Sequence, residues 1–443
     1  MTGDRTAIDE DSGSAPRATA VARDCLLAGI EAGYPQTVVA QSCSLEGSTL
    51  TISGQGYNLD AYDEVVVLGG GNAAGMLAAA LEDLLGDWLT GGLVVTDVPA
   101  ETDRVEVREG DHPLPSERNR TATDDILALA CGLTADTLVL APVTGGGSAL
   151  LCLPVEPVSL SDLRELTDAL LRSGADVNEL NTVRRALDRI KGGGLVEAAQ
   201  PADVVGLVLS DVVGDDLSVV ASGPTAPTTV DPNAVRDVLD RYGIDVSAAV
   251  ETALDAAAAR PRDSPPEPLA NHLLASNDTA LDAAADRAEA AEYTPLVLSA
   301  GIEGEARELA KMHVAIAEEC RRSGRPASPP VALLSGGEAT VTVTGDGTGG
   351  PNQEFSLAAA LRLDEPGITV GSVDTDGRDG ATAVAGAVVD SESIPADDRT
   401  SARRQLANND AQPALAAADA LVETGDTGTN LNDLRVVLVD RPR

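Results

Sequence analysis

Short apolar runs alternate with longer helix-like segments along the first part of the chain. Runs rich in Val and Leu at residues 64–68, 92–96, 137–140 and 204–209 predict buried strands. The segments at about 17–33 and 161–189, and the Ala- and Leu-rich stretch after Gly71, predict helices. Strand–helix–strand alternation is typical of a parallel sheet covered on both faces, so the pattern predicts a Rossmann-like α/β domain.

A second set of elements follows a Pro-rich, charged stretch at residues 255–268. Strands are predicted at 296–298, 331–335, 339–344, 368–372 and 435–439, and a helix at 303–323. Because single cores stop growing at about 250–300 residues, a chain of 443 residues favours two domains. We therefore predict a disordered tail at 1–16, a Rossmann-like domain at 17–258, and a smaller mixed α/β domain at 269–443.

The composition indicates a protein adapted to high salt. The chain has 71 acidic and 31 basic residues, a net charge of −40 spread along its length, and only two lysines, Lys191 and Lys311. Molar salt screens such repulsion within about 3 Å. An acidic surface without a basic patch repels nucleic acids and anionic membranes, so small metabolites are the expected partners.

The cysteines and the apolar runs predict a cytoplasmic protein. Five widely separated cysteines show neither metal-ligand spacing nor a small disulfide framework, so reduced thiols are expected. The first residues lack the apolar stretch of a signal peptide, and no run of 18 apolar residues follows.

The first candidate site is a glycine loop between a strand and a helix. Residues 69–74 fit the pattern G-x-G-x-x-A, and Asp97 ends a strand about two dozen residues later. Such glycines let a backbone approach a phosphate, so Gly70, Gly71 and Asn72 are predicted to bind a ligand. The alternative is a tight turn within an α/β domain. No G-x-x-x-x-G-K-[ST] occurs, which excludes an ordinary P-loop.

Two further glycine clusters carry hydroxyl and cationic side chains. The first comprises Gly145, Gly146, Gly147 and Ser148 after a strand, and predicts an oxyanion or phosphate cradle. The second is Lys191 with Gly192 and Gly193, preceded by Asn181 and Arg184 on one predicted helical segment. The alternative for Lys191 is a helix C-terminus, where a cation and a glycine cap are both favourable.

An acidic motif predicts a metal or proton-accepting site. Asp211 and Asp215 directly follow an apolar strand, and carboxylates at the C-terminal ends of parallel strands face the ligand crevice. Oxygen ligands of this type suit Mg²⁺, which bridges nucleotide phosphates. The alternative is ordinary surface charge in an acidic chain.

Polar loops of the C-terminal part predict one wall of a ligand-binding cleft. Each follows a strand or precedes a helix and combines glycines with amide or charged side chains; the candidates are Glu338, Asn352, Asp376, Arg378 and Asp379. Elsewhere, His112 lies in the Pro-rich loop 110–115, which could aim it at a substrate or simply pack it. No G-x-S-x-G motif supports serine hydrolase chemistry.

Taken in order, these segments resemble the glycerate 2-kinase family, whose C-terminal half is called the MOFRL domain and some of whose members are named hydroxypyruvate reductases. The similarity extends from about residue 20 to 438. Its most specific stretches are GGGSALL (145–151), NELNTVRRALDRIKGG (178–193), LSDVVGDD (209–216), ASGPT (221–225), SGGEATVTV (335–343), NQE (352–354), TDGRDG (375–380) and TGTNLNDL (427–434).

The resemblance implies transfer of the γ-phosphate of ATP to the 2-hydroxyl of D-glycerate with Mg²⁺. By this resemblance, the loop 145–148 would bind phosphate or the substrate carboxylate, and Lys191 and Arg184 would neutralise charge. Asp211 and Asp215 would hold Mg²⁺ or accept the substrate proton. The family usually has lysine where this chain has Asn72, and arginine where it has Pro351.

Three alternatives remain open at this point. The loop at 69–74 and Asp97 also suit an NAD(P)H-dependent hydroxypyruvate reductase. The residues Asn72 and Pro351 suit a non-catalytic metabolite sensor, or a kinase of another sugar acid. The sequence does not determine the oligomeric state, and a homodimer is one candidate assembly.

Overall fold

The computed structural model describes residues 14–259 and 266–442, which form two compact units. The parallel-sheet unit comprises residues 33–276 and 428–431, and the mixed-sheet unit comprises the other described residues.

The helices are α1 (Ser14–Ala32), α2 (Pro35–Ser42), α3 (Ala74–Leu85), α4 (Glu117–Ala130), α5 (Gly147–Leu150), α6 (Leu160–Ser173), α7 (Val177–Leu187), α8 (Gly194–Ala199), α9 (Pro232–Tyr242), α10 (Ala248–Ala259), α11 (Asn277–Ala290), α12 (Ala306–Ser323), α13 (Pro351–Arg362), α14 (Arg399–Ala407) and α15 (Ala411–Ala417). The strands are β1 (Cys43–Glu46), β2 (Thr49–Ile52), β3 (Gln55–Asn58), β4 (Glu64–Gly70), β5 (Gly91–Thr96), β6 (Val105–Glu109), β7 (Thr137–Thr144), β8 (Asp203–Leu209), β9 (Ala270–Ala275), β10 (Thr294–Ser299), β11 (Gly304–Glu305), β12 (Val331–Gly337), β13 (Ala339–Thr340), β14 (Ile368–Asp374), β15 (Gly386–Asp390), β16 (Leu421–Val422) and β17 (Asp433–Val439).

The parallel-sheet unit is built on six strands in the order β6-β5-β4-β7-β8-β9, and every neighbouring pair is parallel. The central strands are continuous apolar runs because both faces are covered; Leu68 and Val139 pack with residues of α4 and α8 on one side. The predicted Rossmann-like parallel sheet is therefore confirmed. The carboxyl ends of β4, β7 and β8 lead into the glycine loops and the acidic motif.

The long helix predicted at 161–189 is wrong, because two helices replace it. Gly174 adopts a left-handed conformation (φ 78°) and ends α6. Asp176 then starts α7 with a capping box in which its side chain accepts from the backbone of Glu179. Helix α7 ends at Leu187, so Lys191 lies in the following loop and not on the helix.

The mixed-sheet unit contains six strands in the order β10-β12-β17-β14-β15-β16. Strands β10 and β12 are parallel, and the other neighbours are antiparallel. Its core includes the fully buried Phe355 of α13. The strand predicted at 339–344 is shorter than expected, because only β13 (Ala339–Thr340) is extended within it.

The compact units do not follow the predicted domain bounds. Helix α1 belongs to the mixed-sheet unit, where Leu26 packs against Gly371 of β14. Strand β9 belongs to the parallel-sheet unit as its sixth strand. Of the predicted tail, residues 1–13 lie outside the described residues, as do 260–265 of the Pro-rich stretch, and residues 14–16 begin α1. Within the described residues, no helix has both the length and the apolar character that crossing a bilayer requires.

Candidate functional site

The first two glycine loops of the parallel-sheet unit are hydrogen-bonded to each other. Asn72 N–H donates to Gly145 O at 2.8 Å, and Ala73 N–H donates to Thr144 Oγ1 at 3.2 Å. Gly71 has a φ of 136°, and a Cβ there would lie 2.1 Å from Thr144 Oγ1. The donors of this loop are therefore used inside the protein, and its glycines permit close packing of two loops.

Gly70 and Asn72 have different surroundings. A Cβ on Gly70 would lie 2.7 Å from a methyl group of Val95, so packing alone explains this glycine. Asn72 Oδ1 is buried and makes no hydrogen bond, and a Cβ on Gly146 would lie 1.7 Å from it. Asn72 thus fills the space above the second glycine loop.

Asp211 lies directly beside this second loop, just after β8. A Cβ on Gly145 would lie 2.3 Å from Asp211 Oδ2, and the backbone of Gly146 hydrogen-bonds to the carboxylate. Burial raises the pKa of Asp211 to about 6, while these backbone hydrogen bonds oppose the shift. A cation bound nearby would favour the ionised form. Asp215 lies four residues further on, half-buried, with a φ of 53°.

A cavity of about 400 Å³ opens beside the same loop. It brings together four predicted residues, Gly146, Ser148, Arg184 and Lys191, with His112 from the Pro-rich loop. Its apolar lining includes Pro113, Leu114, Pro115, Ala149, Leu163 and Leu171. This size, and a few polar groups among apolar walls, are typical of a small-molecule site.

The two predicted cations differ in how far their charges are neutralised. Lys191 is part of a buried ion pair, with Nζ 2.7 Å from Asp188 Oδ2 and 2.6 Å from Leu151 O. Arg184, on α7, makes no hydrogen bond or ion pair with any residue in the described ranges, and burial lowers its pKa. Arg184 is therefore available to an anionic ligand in this cavity, which is also lined by Arg164, whose Nε donates to Pro115 O at 2.5 Å.

Asp188 was not among the predicted site residues, although it organises this loop. Its Oδ1 accepts from the backbone N–H groups of Leu153 and Ile190, both at 3.2 Å, while Oδ2 binds Lys191. Asp188 directly follows the last residue of α7, and its ion-pair partner is Lys191, three residues further along the chain.

Gly192 and Gly193 adopt left-handed conformations, with φ 62° and 94°. Their N–H groups donate to Ser222 O at 3.0 Å and Gly223 O at 2.7 Å. Both donors are thus used to join the lysine loop to the segment 221–225. Gly193 is the N-cap residue of α8, and the C-cap of α7 is Asp188, so neither glycine ends the helix that precedes Lys191.

A buried hydroxyl connects the candidate residues of three segments. Ser222 Oγ donates to Asn181 Oδ1 at 2.7 Å and lies 2.8 Å from Ser148 Oγ. Ser222 is fully buried and has a φ of 62°, a conformation that is costly for a residue with a Cβ. The sequence signal for Ser222 was the motif ASGPT, which carried the family resemblance but gave no role to the serine.

In the mixed-sheet unit, Asp379 and Asn352 bind each other. The Asp379 carboxylate accepts from the backbone N–H groups of Asn352 at 2.9 Å and Gln353 at 2.8 Å, which covers the first turn of α13. The Asn352 side chain donates to Asp433 at 2.6 Å. Burial raises the pKa of Asp379 to about 7, despite these hydrogen bonds. Their role in ligand binding stays a prediction.

The other predicted residues of this unit lie in more open loops. Burial raises the pKa of Asp376 to about 6 and, with the neighbouring Asp376 charge, that of Asp374. Arg378 is exposed, and its guanidinium group bonds to Asp426 at 2.5 and 2.7 Å, so this charge is largely neutralised. Glu338 is exposed between β12 and β13. Across residues 14–259 and 266–442, no group of three or more His, Cys, Asp or Glu side chains could hold a metal ion.

The two other histidines are structural. His272 Nε2 lies 2.6 Å from the hydroxyl of Tyr57, and burial lowers the His272 pKa. His313 lies between Leu309 O and Ser335 Oγ, both at 2.8 Å. Only His112 lines the cavity described above, which agrees with the absence of a histidine cluster in the sequence.

Comparisons with known proteins match both parts of the chain. Residues 21–255 match the family described as a domain of unknown function (DUF4147), and residues 331–433 match the MOFRL family. A D-glycerate 2-kinase of Thermotoga maritima is 38% identical over 386 residues, covering 85% of this chain and 91% of that protein. A putative hydroxypyruvate reductase of Agrobacterium vitis is 41% identical, covering 84% of this chain and 87% of that protein.

A solved structure supports the same relationship along nearly the whole chain. The crystal structure of a glycerate kinase of Thermotoga maritima has a TM-score of 0.84 and 35% identity, covering 96% of this chain and all of that one. The chain therefore belongs to the DUF4147–MOFRL family, together with these glycerate kinases.

Proposed function

We propose that the protein is an ATP-dependent kinase that phosphorylates D-glycerate to 2-phosphoglycerate. The observation that carries the proposal is the cavity that joins Arg184, Ser148 and the glycine loop 145–147, with Asp211 behind that loop. The similarity to the D-glycerate 2-kinase of Thermotoga maritima, 38% identical over most of the chain, supports the same activity.

The cavity suits a small hydroxy acid. The guanidinium group of Arg184 would bind the carboxylate, because a planar fork of N–H donors matches two carboxylate oxygens. Apolar walls such as Leu163 exclude water and strengthen this charge-assisted contact. The ion pair of Lys191 with Asp188 holds the cavity wall, and we assign carboxylate recognition to Arg184 and not to Arg164, whose Nε donates to Pro115 O.

The chemistry needs a hydroxyl oxygen that attacks the γ-phosphorus of ATP. The new O–P bond forms as the bond from that phosphorus to the β,γ-bridging oxygen breaks, and ADP leaves. We assign the hydroxyl proton to a carboxylate oxygen of Asp211, whose pKa of about 6 is suited to a base acting near neutral pH. The absence of a side chain at Gly145 lets the Asp211 carboxylate lie against this loop, next to the cavity-lining Gly146.

Magnesium is the metal that such a reaction implies. Asp215, four residues after Asp211, would hold it together with the substrate phosphates, because Mg²⁺ is usually bound by one or two carboxylates and by substrate phosphates. When bound, the ion neutralises charge on the phosphates.

A reductase is the second candidate, favoured by the name of the Agrobacterium vitis relative. The loop that would bind a nicotinamide dinucleotide has its Asn72 and Ala73 N–H groups bonded to Gly145 and Thr144. Those donors are therefore not available to a pyrophosphate, which supports the kinase over the reductase.

The experiment is a pair of assays on the purified full-length protein in molar KCl. Coupled ADP release is measured with ATP, Mg²⁺ and D-glycerate, and NADH oxidation is measured with hydroxypyruvate. Glycerate-dependent ADP release without NADH oxidation supports the proposal. The opposite pattern rejects it in favour of the reductase, and activity in neither assay rejects both candidate activities.

Arg184→Met tests the site within the same assay. We expect its KM for D-glycerate to rise by about tenfold or more, with the KM for ATP nearly unchanged. Arg236→Met is the matched control, because Arg236 pairs with Asp255 at the surface of the same unit. An unchanged KM for D-glycerate in Arg184→Met would remove Arg184 from the site.

We further propose that the protein works in a reducing, salt-rich cytoplasm. All five cysteines are free thiols, and four of them are buried. The net charge of −40 requires counter-ions to reduce its self-repulsion.

A further inference from the structure

Hydrogen bonds link Ser148 to Ser222 and Ser222 to Asn181. Their direction determines whether the Ser148 hydroxyl can donate to a ligand or only accept from it. Ser222 has one hydroxyl proton, and it is donated to Asn181 Oδ1 at 2.7 Å. The neighbouring Ser148 Oγ lies 2.8 Å from Ser222 Oγ. Because Ser222 has no second proton, Ser148 must donate in that contact.

This leaves Ser148 without a proton for the cavity. Ser148 is half-buried and lines the cavity, whereas Ser222 is fully buried and Asn181 is 1% exposed. The hydroxyl oxygen of Ser148 therefore presents only lone pairs to a ligand. Such an oxygen accepts from a hydroxyl group, and it repels the oxygens of a carboxylate or a phosphate.

We propose that Ser148 is a specificity-determining residue that accepts a hydrogen bond from a hydroxyl group of the bound acid, and that Ser222 and Asn181 are positioning residues that fix this polarity. The proposal rests on the proposed function and deepens it. Arg184 recognises the carboxylate, and Ser148 recognises a hydroxyl. It replaces the sequence-based expectation that Ser148 binds phosphate or carboxylate.

The backbone contacts around Ser222 hold its hydroxyl in the position from which it bonds to both Asn181 and Ser148. Ala221 and Ser222 both have positive φ, at 51° and 62°. The Ser222 carbonyl is held by Gly192 N–H at 3.0 Å, and a Cβ on Gly147 would lie 2.5 Å from Ala221 Cβ. Neighbouring contacts thus stabilise a strained segment, which is typical of functional sites.

The test is isothermal titration calorimetry of the full-length protein in molar KCl, without nucleotide. The ligands are D-glycerate and the two acids that lack either its 2-hydroxyl or its 3-hydroxyl. We expect the wild type to bind at least one of these deoxy acids about tenfold more weakly than D-glycerate. In Ser148→Ala this difference should shrink to about twofold or less, while Ser173→Ala, an exposed serine of α6, should keep it.

Two results would overturn the proposal. The first is a wild type that binds D-glycerate no better than both deoxy acids. The second is a difference that persists unchanged in Ser148→Ala while ATP binding weakens, as expected for a serine that donates to phosphate. Because the titration needs no turnover, hydroxyl-dependent binding without ADP release would contradict the proposed kinase and leave this inference standing.

Variants of Asn181 test the positioning role. Asn181→Asp keeps an acceptor for Ser222 and should keep the preference for D-glycerate, whereas Asn181→Leu removes the acceptor and should lose it. Thermal unfolding confirms that each variant is folded before titration. If folded Asn181→Asp loses the preference as fully as Asn181→Leu, the assigned polarity is wrong.

Discussion

Removing the counter-ion of Lys191 should destabilise the parallel-sheet unit strongly. The Asp188 and Lys191 side chains are 0% and 1% exposed, and their charged atoms lie 2.7 Å apart. Asp188→Asn keeps an oxygen for the backbone donors of Leu153 and Ile190 but leaves the lysine charge buried without a partner. Breaking a buried pair in this way costs about 3–5 kcal/mol. In a domain of 150–250 residues this corresponds to a fall in melting temperature of about 6–20 °C.

The assay is urea unfolding and thermal denaturation of the full-length protein at 1 and 3 M KCl. The double variant Asp188→Asn with Lys191→Met should recover part of the loss, because no unpaired charge remains. Asp255→Asn is the matched control, since it breaks an exposed pair with Arg236 and should cost less than about 1 kcal/mol. A cost for Asp188→Asn as small as that of the control, or one that vanishes at 3 M KCl, would refute the reasoning.

Three further predictions concern the glycine loop, a buried histidine and the charged surface. Gly146→Ala should destabilise the parallel-sheet unit by about 1–3 kcal/mol in urea unfolding, because the φ of Gly146 is 72° and the new Cβ would meet Asn72. Adding Asn72→Ala should restore part of the lost stability. Gly192→Ala should show only the cost of the left-handed backbone, because a Cβ there meets no close neighbour. Burial lowers the pKa of His313 to about 4, so the stability due to its neutral form is present above about pH 6.5 and is lost as the pH falls through about 4. His313→Gln should therefore reduce the fall in melting temperature between about pH 6.5 and about 4. A melting temperature that depends on pH as steeply in the variant as in the wild type would contradict this. The melting temperature of the wild type should rise between 0.1 and 2 M KCl, because salt screens a net charge of −40, and a flat response would contradict salt adaptation.

Continuous apolar runs made the parallel sheet predictable, because strands covered on both faces contain few polar residues. Strands β6 and β9 escaped this reasoning. In β6, Glu106 and Arg108 alternate with valines at the edge of the sheet, and β9 contains the polar Asn271 and His272. Edge strands with one open side lack the signal that identified their central neighbours.

Helix ends and partners were the less predictable features. The apolar periodicity continues across Gly174, so only the local caps, the left-handed Gly174 and the side chain of Asp176, separate α6 from α7. Helix α1 has an apolar face, but its sequence does not say which sheet it covers, and the structure packs it against α11 and β14. A sequence pattern identifies an amphipathic helix but does not identify the surface against which the helix packs.

In the candidate site, too, the sequence predicted some features and not others. Strand-to-loop junctions made the first two glycine loops, Ser148 and Asp211 candidates, because ligands bind at the carboxyl ends of parallel strands. Arg184 was a candidate because it lies on the predicted helical segment before Lys191. Sequence spacing could not reveal that Lys191 would be neutralised by Asp188, or that Ser222 would connect Asn181 with Ser148. The ion pair depends on the local conformation of the loop after α7, and the contacts of Ser222 depend on how segments distant in sequence pack together.

The most direct measurement is ³¹P NMR of the purified full-length protein mixed with ATP, Mg²⁺ and D-glycerate in molar KCl, beside Asp211→Asn under the same conditions. The account predicts that signals of ADP and 2-phosphoglycerate replace that of the γ-phosphate of ATP with the wild type, and that both remain absent with Asp211→Asn. An ATP spectrum that stays unchanged with the wild type, or a phosphoester signal that forms equally fast with Asp211→Asn, would contradict it.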